Sequence, residues 1–335
     1  MGIEMKKLGT SLVALMALTG SSFAADMPVK AVKAPPVVVL PWDIAFGAAL
    51  MNDYIFRGIT QSNHKPSVAA YFEARYNVND SLQLYIGTAG ESISFPNRAA
   101  AEIDLYAGIR PTFGAFAFDF GVWGYLYPGG TCFNPGAFPG SGVPGSGTDC
   151  VNNGFLPVNG NVIKRDVSFM EVFGKVTYTV NDNWAFGINE YYSPNFLNFG
   201  AWGNYLSGTV KFTAPTTMMP SGLGMYVSGE FGRQWLGTTD SFYGTLAFPN
   251  GIPLPSYNTW NVGVGFTYKV FTLDLRYSDT NLTKAQCNAL TSDWSTTSFS
   301  PGNITAINPG GFGSNWCGSA GIAKLSVDTT LNALK

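Results

Sequence analysis

Histidine is the side chain most often used for acid–base catalysis, and this chain of 335 residues contains one, His64. Its neighbours Lys65 and Pro66 place it in a polar loop. As a catalytic group it would need a serine partner, as in the Ser-His-Asp arrangement of hydrolases. As a structural group it is a solvated loop side chain. A single histidine supports little enzymatic chemistry, so we expect a protein that is not an enzyme and has no catalytic residues.

Four cysteines fall in two long Gly/Pro-rich stretches, with Cys132 and Cys150 in one and Cys287 and Cys317 in the other. Four cysteines allow three pairings, and locality favours Cys132–Cys150 and Cys287–Cys317. Each bond would reduce the entropy of a long loop. Free buried thiols or a zinc site are the alternative, but no Cys-x-x-Cys pair occurs. We therefore predict two disulfides, no metal and no cofactor.

The remaining candidates are charged residues that alternate with apolar ones along short segments of the chain. On the polar face of a sheet, charges of both signs could orient polar solutes and exclude apolar ones. The alternative is that these charges pair across neighbouring strands and fill the interior. The candidates are Arg57, Glu73, Arg75, Glu102, Asp104, Arg110, Asp119, Glu171, Lys175, Lys211, Glu230, Lys269, Asp274 and Arg276.

Arg57 differs from the others because it precedes Gly58, near the outer end of the first predicted strand. As a functional residue it would guard the mouth of the polar interior. As a structural residue it would pair with a neighbouring carboxylate, such as that of Asp53.

The composition narrows the class of protein. Charged residues are only 12% of the chain and hydrophobic residues 46%, which argues against a disordered polymer or a coiled coil. Lys and Arg total 19 against 21 Asp and Glu, so the net charge of −2 implies no basic surface for nucleic acid. The apolar side chains must be covered by a protein core or by lipid.

The N-terminus has the pattern of a secretory signal. Lys6 and Lys7 precede an apolar stretch, and Ser22-Phe23-Ala24 supplies the small residues of a cleavage site. We predict a signal peptide over residues 1–24. An inner-membrane anchor is the alternative, but the apolar stretch is too short to span a bilayer. Residues 25–41 are a Pro-rich lead-in that we expect in the periplasm, and residues 42–335 form the remaining domain.

Period-two alternation recurs about a dozen times in that domain, as in Val68, Ala70 and Phe72 on one face with Glu73 and Arg75 on the other. The polar faces are rich in Gly, Ala, Ser, Thr and Asn and hold too few charges for the outside of a soluble sandwich. Short connections such as 181–183 alternate with long ones such as 127–165. These features predict an all-β fold, a transmembrane antiparallel up-and-down β-barrel of about 12 strands.

The facing of one strand and the role of the aromatic residues near strand ends complete the prediction. The strand over residues 184–192 has an ambiguous facing, because Glu190 falls in its apolar register. Aromatic residues near strand ends are expected to form girdles at the membrane interfaces rather than a platform for sugars. They are Trp42, Tyr127, Trp184, Tyr192, Trp202, Trp260 and Tyr277.

Five motifs are spread in order from about residue 42 to the C-terminus. They are Asn52-Asp53-Tyr54-Ile55-Phe56-Arg57-Gly58-Ile59-Thr60-Gln61-Ser62, Asp104-Leu105-Tyr106-Ala107-Gly108, Tyr125-Leu126-Tyr127-Pro128, Tyr191-Tyr192-Ser193-Pro194 and Leu275-Arg276-Tyr277-Ser278-Asp279-Thr280. Together they resemble the TorF-family porins of proteobacteria. The resemblance implies an outer-membrane barrel that acts as a channel, and it carries over no catalytic or ligand residues.

The two ends of the chain add to this comparison. The leader segment 24–30 is similar to that of alphaproteobacterial outer-membrane proteins. The C-terminal residues, 330–335, lack the final aromatic residue usual in such barrels. Either Leu331 takes its place or the last strand stops early.

These observations predict a porin of the Gram-negative outer membrane, a passive channel for small hydrophilic solutes lined by the charged candidates. The alternative is a non-conducting structural or adhesive barrel, and an enzyme acting on lipid is the third hypothesis. The expected partners are outer-membrane lipid and small hydrophilic solutes, with no nucleic acid. The oligomeric state is left open by the sequence.

Overall fold

The structure, a computed structural model, describes residues 41–130, 163–244, 248–293 and 313–334. The predicted signal peptide and residues 25–40 of the lead-in lie outside the described residues, as do Cys132 and Cys150.

The alternating segments form strands, because β-branched and aromatic residues fit a pleated surface that is covered on one face. In chain order the strands are β1 (Trp42–Met51), β2 (Ile55–Phe56), β3 (Ile59–Thr60), β4 (Ser67–Asn79), β5 (Leu82–Glu91), β6 (Glu102–Phe113), β7 (Phe116–Leu126), β8 (Phe169–Thr179), β9 (Trp184–Ser193), β10 (Gly203–Thr213), β11 (Leu223–Leu236), β12 (Tyr257–Tyr268), β13 (Phe271–Thr280) and β14 (Ala320–Thr330).

Twelve of these strands, β1 and β4 to β14, close into one barrel in which each strand pairs with its neighbours in the chain. The barrel closes where β1 pairs antiparallel with β14, from Met51 opposite Lys324 to Ala45 opposite Thr330. The last strand therefore does not stop early. The short strands β2 and β3 pair with each other in a hairpin that is not part of the barrel sheet, and Ile59 of β3 also forms an isolated antiparallel bridge with Cys317.

The connections alternate as predicted. Five short ones lie at the end of the barrel where β1 begins and β14 ends, and six long ones lie at the opposite end. We call these the short-turn end and the long-loop end. The helix α1 (Lys284–Thr291) lies in the last long connection, where Cys287 is joined to Cys317 by one of the two predicted disulfides. No helix among the described residues is long and apolar enough to cross a membrane.

Apolar side chains cover the outside of the barrel. Ile86, Ile188 and Phe231 expose 64, 55 and 58% of their surface, whereas the inward-facing Glu73 and Glu171 expose 1 and 0%. This arrangement is the reverse of that in a soluble protein, and it makes the fold a transmembrane antiparallel up-and-down β-barrel. Closure pairs the backbone amides of every strand, which hydrocarbon requires.

The side-chain positions show which way β9 faces and where the aromatic residues near strand ends lie. Glu190 faces outward with the apolar register of β9, and its Oε1 accepts a hydrogen bond from Asn204 Nδ2 at 2.9 Å. Trp42, Trp184 and Tyr192 are exposed near strand ends, as the girdle requires. The prediction for Tyr127 is wrong, since it lies inside the barrel with 5% of its surface exposed.

We expect Ile188→Arg to destabilise the protein by about 2–4 kcal/mol, because it places a cation at mid-strand on the lipid-facing surface. The matched control is Met218→Arg in the connection between β10 and β11, where Met218 is 68% exposed outside the strands. Denaturant unfolding in lipid vesicles measures both. Equal tolerance of the two arginines would contradict the lipid-facing assignment of β9.

Candidate functional site

The β2–β3 hairpin forms a two-residue turn at Arg57 and Gly58, whose φ angles are 46° and 79°. Positive φ at both central positions is the type I′ geometry that suits the twist of a two-residue hairpin. Gly58 is required there for a second reason. A Cβ on it would lie 2.9 Å from Thr259 Oγ1 and 2.9 Å from Thr280 Cβ, so the tip is packed directly against β12 and β13.

Arg57 at this tip reaches the inner wall of the barrel. Its Nη1 and Nη2 donate to the Oε1 and Oε2 of Glu171, both at 2.8 Å, and Nη1 also donates to Gln234 Oε1 at 2.9 Å. Glu171 lies on β8 and Gln234 on β11. Arg57 is 7% exposed and Glu171 is 0% exposed. The hairpin therefore extends into the interior instead of standing at its mouth, and the partner of Arg57 is Glu171 instead of Asp53.

Aromatic rings complete the surroundings of the guanidinium. The Cζ atom of Arg57 lies 4.6 Å from the ring centre of Phe56, 5.0 Å from that of Tyr191 and 4.4 Å from that of Tyr205. Cation–π contacts of this kind strengthen when they are removed from water. A bidentate ion pair inside an aromatic cage holds Arg57 in one position, since leaving a buried charge unpaired costs about 3–5 kcal/mol.

Asp53 instead anchors the base of the hairpin. Its Oδ1 accepts from Thr60 Oγ1 at 2.6 Å and from Ser62 Oγ at 3.0 Å, and its Oδ2 contacts His64 Nδ1 at 2.7 Å. Asp53 is 4% exposed. The polar residues of the motif from Asn52 to Ser62 thus fold the first long connection back into the barrel.

An apolar cluster fills the interior at the long-loop end. Side chains from the long connections pack there against rings on the wall, and Phe95 stacks on Tyr127 with ring centres 4.8 Å apart. Tyr125 on β7 stacks on Phe169 on β8 at 4.4 Å. The members contributed by connections include Phe95, Tyr127, Ile163, Val167, Phe196, Phe199, Tyr243, Ile252, Leu254 and Leu290.

Nearer the short-turn end, ion pairs link inward-facing side chains of β4, β6 and β7. Glu73 on β4 accepts from Arg75 Nε at 2.5 Å and from Arg110 Nη1 at 2.7 Å. Arg110 also lies 3.5 Å from Asp119, which accepts from Tyr85 Oη at 2.6 Å. The Arg110–Asp119 pair joins the neighbouring strands β6 and β7, whereas Glu73 pairs within β4 and with Arg110 two strands away. Charges paired in this way are expected of an interior filled by side chains.

A second network lies on the opposite wall. Arg276 donates to Asp274 from Nε at 3.0 Å and from Nη2 at 2.9 Å, and its Nη1 donates to Asn261 Oδ1 at 2.5 Å. Tyr226 Oη donates to Asp274 Oδ2 at 2.7 Å. Asn261 also donates to Glu230, and Glu230 accepts from Tyr205. Because Tyr205 is one of the rings around Arg57, this network is connected to the surroundings of the guanidinium.

The sequence-predicted charged residues are therefore distributed over one interior. Arg57 lies on the hairpin, and Lys269 is wrongly placed by the sequence: it is an exposed residue of the turn between β12 and β13, with φ 53°. The candidates that lie on the inner wall are Glu73, Arg75, Glu102, Asp104, Arg110, Asp119, Glu171, Lys175, Lys211, Glu230, Asp274 and Arg276.

This wall carries further charged residues beyond the predicted set, and three of them lie on β5 and β14. Glu91 ends β5, and Lys324 and Asp328 lie on β14. All three follow the same alternation that places Tyr85 and Ser326 inward, so continuing the period to the end of each strand would have found them.

His64 joins the first and last long connections. Its Nδ1 contacts Asp53 Oδ2 at 2.7 Å, and its Nε2 lies 2.8 Å from the carbonyl oxygen of Asn315. Burial acts to lower the pKa of His64, but these two acceptors outweigh it, so its pKa is raised above the ordinary 6.5. Ser62 contacts Asp53 and the Lys65 carbonyl, so it is not arranged as a nucleophile on the His64 ring.

A family described as bacterial proteins of unknown function, Gcw_chp, matches residues 38–140, which include the hairpin and its anchor. No curated protein matches the chain at a significant level.

Among solved structures, an outer membrane channel from Pseudomonas putida F1 is 10% identical over 87% of this chain and 96% of that chain, with a TM-score of 0.39. LpxR from Salmonella typhimurium is 9% identical over 85% and 99%, with a TM-score of 0.38. OmpT of Vibrio cholerae is 11% identical over 86% and 97%, with a TM-score of 0.35. All three are too distant to bear on the function of this chain.

The raised pKa of His64 predicts a pH-dependent stabilisation by the protonated ring. It is fully present below about pH 6.5, the unfolded value, and is lost as the pH rises through the higher folded value. The effect should be about 1 kcal/mol or less, because the side chain is 42% exposed.

Unfolding midpoints of the wild type and His64→Gln between pH 5.5 and 8.5 test this. The wild type should be the more stable below about pH 6.5, and the difference should shrink at alkaline pH. Since His64 is the only histidine, a difference that does not change with pH would contradict the assignment.

Proposed function

We propose that this protein is an outer-membrane channel for small hydrophilic solutes that is closed in the conformation described, with the β2–β3 hairpin as the closing element. The observation that carries the proposal is the contact of Arg57 with Glu171 and Gln234 on the inner wall, which places a charged hairpin across the interior. The strand pattern and the N-terminal sequence support the membrane assignment.

The orientation follows from the lengths of the connections. In outer-membrane barrels the short turns face the periplasm and the long loops face the outside. The long-loop end, with the hairpin and the apolar cluster, would then face the cell exterior. The residues that follow the signal peptide would be periplasmic, which agrees with β1 beginning at the short-turn end.

The polar wall supports a path for solutes. Acidic and basic side chains both line the interior, and some of them form ion pairs, as at Glu73–Arg110 and Asp274–Arg276. A solute path would open if the hairpin left its site. Arg57 holds the hairpin there through its contacts with Glu171 on β8 and Gln234 on β11. The Arg57–Glu171 pair thus keeps the channel closed.

A non-conducting structural barrel is the second candidate. It is favoured by the apolar cluster, in which side chains of several long connections pack against wall residues such as Tyr125 and Phe169. Rings packed in this way stabilise a fixed interior and resist displacement. The two candidates differ in whether releasing the hairpin produces conductance.

Replacing the carboxylate of Glu171 should open the channel. In planar bilayers we expect the wild type to be closed for most of the recording, and Glu171→Gln to raise the mean conductance at least about tenfold, since a loss of about 1.4 kcal/mol already shifts an equilibrium tenfold. Arg57→Ala should have the same effect from the other side of the pair. Glu190→Gln, which removes an outward-facing carboxylate, is the matched control and should behave as the wild type.

Silent recordings from folded Glu171→Gln, Arg57→Ala and a variant lacking residues 55–60 would contradict the channel. They would favour the structural barrel, provided that heat-shift electrophoresis shows each variant to be folded.

A further inference from the structure

Three carboxylates meet on the inner wall near the long-loop end. Glu91 on β5 lies directly opposite Glu102 on β6 in the strand register, and Asp104 follows two residues later on the same face. Carboxylate oxygens of the three residues lie within 4.8 Å of one another. Like charges directly opposite across a strand pair repel each other, so this arrangement is unfavourable without a cation.

The burial of these groups makes the repulsion stronger. Glu91 and Glu102 are each 2% exposed, and Asp104 is 0% exposed. Within the described part of the chain, none of the three takes part in an ion pair with a basic side chain. A buried carboxylate normally has a basic partner, a metal or a set of hydrogen bonds.

Two of the carboxylates lack hydrogen bonds as well. Among the described residues, both oxygens of Glu91 and both oxygens of Asp104 are buried without a hydrogen-bond partner. The Trp123 indole N–H interacts with Asp104 without meeting hydrogen-bond geometry. Four oxygens are thus available in a space from which water is largely excluded.

Glu102 is held in place by hydrogen bonds from two tyrosines. Tyr54 Oη donates to Oε1 at 2.7 Å and Tyr127 Oη donates to Oε2 at 3.1 Å. Tyr54 precedes the β2–β3 hairpin, and Tyr127 is stacked under Phe95 of the next long connection. Each Glu102 oxygen keeps a lone pair for a further ligand, while the tyrosines fix the orientation of the carboxylate.

We propose that Glu91, Glu102 and Asp104 form a buried site for a divalent calcium ion. Carboxylate oxygens are the ligands that hard divalent cations select. Calcium accepts a flexible shell supplied largely by protein oxygens, whereas magnesium keeps several waters, for which this enclosed site offers little room. The ion would neutralise the three charges and connect the wall to the first long connection through Glu102 and Tyr54.

Binding to the full-length protein in lipopolysaccharide-free detergent micelles tests the site. Terbium luminescence sensitised by the neighbouring aromatic rings reports occupancy, and calcium displacement gives the affinity. We expect Glu91→Gln combined with Asp104→Asn to weaken calcium binding at least about tenfold, because two charged ligands are lost. Glu230→Gln is the matched control, since Glu230 is another buried carboxylate of the inner wall, and its affinity should stay within about twofold of the wild type.

A second readout separates a metal site from three protonated acids. Calcium should raise the unfolding midpoint of the wild type and of Glu230→Gln but not that of the double variant. The inference is overturned if millimolar calcium leaves wild-type luminescence and unfolding unchanged, or if the double variant binds as tightly as the wild type. Displacement of terbium by magnesium at lower concentrations than calcium would overturn the assignment to calcium. None of these outcomes depends on whether the barrel conducts.

Discussion

A guanidinium removed from water requires a carboxylate, and Arg57 finds one in Glu171 only because the first long connection folds into the barrel. That pair determines the path of the connection, from Asp53 and its anchoring hydroxyls to the tip at Gly58, which is packed against β12 and β13. It also brings Phe56 against Tyr125 at 5.9 Å, which joins the hairpin to the aromatic wall. This contact and the apolar cluster together fill the interior at the long-loop end.

The barrel wall has two faces in different environments. Outward positions such as Ile86 and Leu105 are apolar because they face lipid, and inward positions such as Glu73 and Asp119 are polar because they face other side chains. Because side chains alternate along a strand, one sequence period serves both surfaces. Part of the wall charge is paired, as at Glu73–Arg110 and Asp274–Arg276, whereas Glu91, Glu102 and Asp104 have no basic partner among the described residues.

Alternation also sets the limit of what the sequence predicts. It gives the strands, their facing and the alternation of short and long connections, because each depends on residues close together in the chain. It does not give the position of Arg57, whose partner is 114 residues away. The turn at Arg57-Gly58 lacks the Asn-Gly or Asp-Gly pair that marks such hairpins most clearly. The position of Tyr127 at a strand end does not distinguish inside from outside, and Glu91 is predicted to face inward only when the period is continued to the end of β5.

A double-mutant cycle between Arg57 and Glu171 measures whether these two side chains interact inside the barrel. The free energy of unfolding in lipid vesicles is measured for the wild type, Arg57→Met, Glu171→Gln and the double variant. If the two side chains meet inside the barrel, the costs are not additive, and the coupling energy is at least about 1.5 kcal/mol, as for other close charge pairs. Additive costs would show that the two groups do not interact, and the hairpin would then lie outside the interior.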